Sequence, residues 1–152
     1  IRRIRQHFAP PVYEVLEDDV PAFSAHRFEN SAFNRWVGTN VVTHKQPGYA
    51  IATLSLKPIG GVPGDITASQ MDAVADLADT YSFGEIRATH EQNLVFADVK
   101  LDDLYDLWLK LDEIGLATAN LGLVTDMITC PGLDYCAMAP PAAGKERGDG
   151  VD

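Results

Sequence analysis

The chain has 152 residues, 46% of them hydrophobic, and carries 12 Lys plus Arg against 22 Asp plus Glu, a net charge of −10. That is enough for one domain with its own core, while the acidity argues against a nucleic-acid partner, which needs clustered cations. No apolar run approaches the roughly 18–20 residues that span a bilayer, and two cysteines in a cytosol-like composition argue against a disulfide framework and for a cytoplasmic setting.

Ile1-Arg2-Arg3-Ile4-Arg5 lacks both Met and the apolar stretch of a signal peptide, and reads as an internal cut in a longer protein. Residues 1–40 read as an irregular linker. Pro10-Pro11, Glu17-Asp18-Asp19 and Pro21 break any long periodicity. Short apolar anchors at Phe8, Tyr13, Phe23, Phe28, Phe33 and Trp36 suit a segment that wraps a surface. Residues 33–37 suit one helical turn.

Residues 48–57 have β-type composition with partial alternation, ended by Pro58. A turn-rich stretch follows over 60–65. Thr67-Ala68-Ser69-Gln70 is a capping box, a hydroxyl N-cap with Gln three residues on. Met71, Val74, Ala75, Leu77 and Ala78 continue at helical spacing to about Tyr81. Strands are predicted over 84–90 and 92–99. A second helix is predicted over 102–114, with Leu104, Leu107, Trp108, Leu111 and Ile114 on one stripe and Gly115 just past its end.

The order strand, helix, strand, strand, helix is most of a ferredoxin-like βαββαβ unit. We therefore expect an α+β half-domain over 41–128, an antiparallel-rich sheet with both helices on one face. Its core should hold Met71, Val74, Leu77, Leu104, Leu107, Trp108 and Leu111. Residues 129–139 begin a cysteine-bearing loop, and 140–152 read as a disordered tail without a core-forming pattern.

Three stretches carry chemistry. Cys130-Pro131-Gly132-Leu133-Asp134-Tyr135-Cys136 places two thiols about a Pro-Gly turn, where they suit a soft metal or cluster. Buried free thiols, a short-loop disulfide and half of a zinc site remain open on spacing alone. The second stretch runs from Arg87 through His90 and Glu91 to Gln92 and Asn93. It puts amides and a guanidinium at a strand junction, although a hydrophilic hairpin tip has the same composition. In the third, Thr43-His44-Lys45-Gln46 leads into the first strand with a cation and several donors.

These motifs carry a resemblance. Asn40-Val41-Val42-Thr43-His44-Lys45-Gln46-Pro47-Gly48-Tyr49, then Gly84-Glu85-Ile86-Arg87-Ala88-Thr89-His90-Glu91-Gln92-Asn93-Leu94, then the Cys130–Cys136 stretch stand in the order seen in siroheme-containing nitrite and sulfite reductases. From about Phe33 to Ala139 the chain resembles the second ferredoxin-like half-domain of such a hemoprotein.

The resemblance implies that Cys130 and Cys136 are the first two ligands of a [4Fe–4S] cluster. It implies that Gln92 contacts siroheme, with Asn93 beside it in the motif and Arg87 and Lys45 as further cofactor-binding candidates. It also implies partners: the first half-domain, a downstream C-x3-C region, and an electron donor such as ferredoxin or a flavoprotein. Neither the first half-domain nor the C-x3-C pair is among these residues. The chain alone is therefore expected to be inactive and to bind no stoichiometric siroheme. Two other readings stand beside this one. One is a standalone ferredoxin-like ligand- or partner-binding domain with structural cysteines; the other is a half zinc site completed by His44 or His90.

Overall fold

Asn30 organises the first helices of this computed structural model, which describes residues 11–130. Its backbone N–H closes helix α1 (Pro21–Glu29) on the His26 carbonyl. Its side-chain oxygen then caps helix α2 (Ser31–Asn40), accepting from the amides of Ala32 and Phe33 at 3.0 Å. The expectation of an irregular 1–40 is thus corrected over 21–40. Pro21 sits in the first turn of α1, where a missing N–H costs nothing. Phe33, Trp36 and Val37 recur at helical spacing and are buried, so the turn expected at 33–37 is the middle of a ten-residue helix. Phe28, expected as an anchor, is exposed.

A four-stranded antiparallel sheet follows, in the order β1-β2-β4-β3. Its strands are β1 (Val41–Thr43), β2 (Tyr49–Leu54), β3 (Arg87–Ala88) and β4 (Leu94–Lys100). The short β1 went unpredicted, and the strand expected over 84–90 is only two residues long. Helix α3 (Ala68–Tyr81) starts with the expected capping box. The Thr67 hydroxyl accepts from the Gln70 amide, and the Gln70 side chain accepts from the Thr67 amide. Helix α4 (Leu104–Glu113) follows a 3-10 turn at Leu101–Asp103.

Among the described residues, helices α1 to α4 contribute to the core cluster or pack against it, on one face of the sheet. Phe33, Trp36, Leu54, Phe96, Leu104, Leu107 and Leu111 are fully buried there, each worth about 1.5–3 kcal/mol in apolar transfer. Val74, Leu77 and Trp108 are buried as expected, but Met71 is 56% exposed. The first turn of α3 contains no buried residue, and its buried stripe begins only at Val74.

Ala50 pairs with Val99 and Ala52 with Phe96, so Ala97 and Asp98 together oppose Ile51. This bulge lets Phe96 and Val99 both enter the core and turns Asp98 the other way. Residues of the segment before α1 contact that other face. The Tyr13 hydroxyl donates to Asp98 at 2.7 Å, and the ring meets Tyr49 edge-on at 5.2 Å. Asp18 accepts from the Gly48 amide at 2.8 Å.

Candidate cofactor-binding site

The hairpin between β3 and β4 is shaped by Thr89. Its hydroxyl accepts from the amides of Glu91 and Asn93, and its backbone N–H donates to the Asn93 carbonyl at 2.9 Å. Gln92 sits at the tip with φ +59°, a left-handed conformation uncommon outside glycine and often associated with functional sites.

From there the Gln92 carboxamide reaches across to the last described segment. Its Nε2 donates to the Thr129 carbonyl at 2.8 Å, and the Thr129 amide donates back to Oε1 at 3.1 Å. The residue after Thr129 is Cys130, whose side chain is exposed. The clamp therefore stands the thiol beside Gln92, at a cleft of about 500 Å³ lined by Val62, Pro63, Gly64, Asp65, Gln92, Thr129 and Cys130. Gly64 forms the opposite wall at φ +80°, where a Cβ would lie 3.4 Å from the Gln92 side chain. Any larger residue there would narrow the cleft and strain the turn.

The remaining predicted residues are placed differently. Asn93 is adjacent to Gln92 but buried. Its Oδ1 accepts from the Leu56 amide at 3.1 Å, and its Nδ2 donates to Asp126 at 3.0 Å. Arg87 is exposed on β3 and paired with Glu85. Lys45 is exposed in the β1–β2 turn, and the register puts that turn at the end of the sheet remote from Gln92, since Tyr49 pairs with Lys100 and Leu54 with Leu94. Cys136 lies outside the described residues.

His44 is at that remote end too, with Nε2 3.4 Å from Asp98. Its Nδ1 accepts from the Gln46 amide at 2.9 Å, so the ring proton lies on Nε2, toward Asp98. His90 is exposed beside Glu91. Among the described residues no three His, Cys, Asp or Glu side chains are grouped to hold a metal, and His44 does not approach Cys130. The zinc reading completed by His44 gains no support.

Sequence reasoning missed the polar pair under the cleft, Lys57 and Asp126, joined at 2.6 Å. Their only local signal is a lysine shortly after an apolar strand.

Residues 44–114 match the family model for the nitrite/sulfite reductase ferredoxin-like half domain. This segment is a nitrite/sulfite reductase ferredoxin-like half domain. Strands β2, β3 and β4 with helices α3 and α4 fall within the matched residues; α1, α2 and β1 precede them, and the Cys130 segment follows.

Among curated proteins, the chain is 34% identical over 98 residues to a chloroplastic ferredoxin–nitrite reductase from Betula pendula, covering 62% of this chain and 16% of that protein. It is 30% identical over 120 residues to the Arabidopsis thaliana chloroplastic enzyme, covering 76% and 19% respectively. It is 29% identical over 86 residues to sulfite reductase [ferredoxin] 1 of Mycolicibacterium paratuberculosis, covering 55% and 16%. The chain thus spans less than a fifth of each of these relatives. Among the described residues no helix is long and apolar enough to cross a membrane.

Proposed function

We propose that this half domain works within a larger nitrite or sulfite reductase, where it supplies one wall of a siroheme pocket and two thiolates of a [4Fe–4S] cluster. The observation that carries this reading is the Gln92–Thr129 clamp, which sets Cys130 at the cleft beside the hairpin that the resemblance assigns to cofactor contact.

The donor chemistry fits the cluster. Cys130 is an exposed soft ligand on a segment tied down at its preceding residue, whereas a packing cysteine would be buried. For siroheme the fit is that of one wall. Among the described residues the cleft is lined by Asp65 and no Lys or Arg, so in this reading cations for the carboxylates of the macrocycle come from elsewhere in the reductase. When bound, the siroheme and cluster supply the six-electron reduction of the anion.

This chain's own residues work by position. Gln92 spends one N–H and one lone pair on Thr129, and keeps another of each for a cofactor edge. Asn93 and the buried ion pair hold the hairpin to the Cys130 segment. Ferredoxin is the donor named for these relatives, and we propose it as the electron donor here.

Absorption spectra of the complete reductase and of this chain alone test the reading. The complete protein should show an intense porphyrinoid band at about one cofactor per chain, and this chain none. A complete protein without such a band would leave a ferredoxin-like binding domain with structural cysteines as the better account.

A further inference from the structure

Lys57 lies three residues past the end of β2, and its side chain is 1% exposed. A buried ammonium is costly unless it is well paired. Here Nζ donates to the Glu91 carbonyl and to Asp126 Oδ1 at 2.6 Å, and that carboxylate is itself only 6% exposed. Asp126 also accepts from Asn93 Nδ2 and from the Gly122 amide, both at 3.0 Å. Burial pushes the Asp126 carboxyl up, but Lys57, Asn93 and Gly122 together hold it below the ordinary carboxylate value. The backbone of Lys57 is engaged as well, its carbonyl accepting from Asn120 Nδ2 at 3.0 Å.

What this pair joins is specific. Glu91 immediately precedes Gln92, and Asp126 stands three residues before Thr129. One buried cation therefore fastens both segments whose tips meet in the Gln92–Thr129 clamp. An apolar pair of similar volume would serve stability as well or better, so an ion pair here points to geometry.

We propose that the buried Lys57–Asp126 pair is a positioning device that sets where Cys130 stands relative to Gln92. Its purpose rests on the cluster-bearing reading above; its geometry can be tested without any cluster.

The test is amide and side-chain exchange by nitrogen-15 NMR on this chain, comparing Lys57→Met, Asp126→Asn and the double variant Lys57→Met/Asp126→Leu. Each should speed exchange of the Thr129 amide roughly tenfold to a hundredfold, the range that one hydrogen bond to a charged group is worth. Each should also shift the Gln92 Nε2 resonance toward that of free glutamine. Amides of the β2–β4 ladder should stay protected, and the double variant should recover stability while its clamp stays loose. Asp126→Asn keeps the shape of the site but removes the charge facing Lys57 and one of the two acceptor oxygens, so it carries the readout even if Lys57→Met fails to fold. A Thr129 amide and a Gln92 side chain unchanged in Asp126→Asn, or a clamp retained in the double variant, would overturn the proposal. Neither result bears on whether Cys130 ligates iron, which Cys130→Ser in the complete reductase reads separately.

Discussion

Replacing Asn93 by Ala separates a structural residue from a cofactor contact. The side chain is 1% exposed and makes two bonds inside the chain, from the Leu56 amide at 3.1 Å and to Asp126 at 3.0 Å. Truncation leaves the Leu56 N–H buried without its acceptor, a cost of about 1–3 kcal/mol, and removes a charge-assisted bond worth about 1.5–3 kcal/mol. These overlap, so the expected loss is about 3 kcal/mol, a large share of the roughly 5–15 kcal/mol that holds a domain folded. In urea the midpoint should fall by roughly 1.5 M with an unchanged slope. Asn93→Asp keeps an acceptor for Leu56 but opposes Asp126 with a second carboxylate. It should be less stable than the parent at neutral pH and recover as one of the two protonates in acid. A chain carrying Asn93→Ala that unfolds within about 0.5 kcal/mol of the parent, the range of an ordinary surface change, would show that Asn93 does not hold the fold. It would also return Asn93 to the cofactor.

Two further predictions concern charge. The Asp126 carboxyl lies below its ordinary value, so its contribution is complete above the unfolded value of about 3.9 and is lost as pH falls through its depressed value. Asp126→Asn should remove that part of the acid dependence in a pH series of urea midpoints, and an unchanged acid limb would contradict it. The hydrogen bond to Asp98, followed by burial, pushes the Tyr13 hydroxyl up to about 12. Its stabilisation is thus complete below about 10 and lost between about 10 and 12. Tyr13→Phe should flatten alkaline destabilisation over that window, read by the same titration, and a slope equal to the parent's would count against the bond.

Much of the fold is legible in the sequence where its causes are local. The capping box at Thr67 and Gln70 spans one turn, and the α4 stripe of Leu104, Leu107, Trp108 and Leu111 repeats within one helix. Pro21 misled because proline breaks a helix interior but suits a first turn, and only the cap at Asn30 and the Phe33, Trp36, Val37 spacing reveal which applies. Met71 obeys the periodicity yet stays 56% exposed, and a pattern along one helix cannot report the extent of its neighbours. At the site, Gln92 and Cys130 were legible as motifs, but the bonds from Gln92 to Thr129 cross 37 positions. The partner that makes a buried Lys57 tolerable is 69 positions away. Nothing local to a lysine announces either.

We propose that the Cys130 segment, held by Gln92, carries cluster ligands. Iron and labile sulfide measured on the complete reductase, as parent and as Cys130→Ser, Cys136→Ser and Gln92→Ala, test it most directly. A hydroxyl is a poor substitute for a thiolate at iron, so each serine variant should lose most of its cluster and its turnover. Gln92→Ala deletes neutral hydrogen bonds worth about 0.5–1.5 kcal/mol each and should keep iron while siroheme occupancy or turnover falls. A Cys130→Ser protein with a full complement of iron and sulfide and normal turnover would contradict the account.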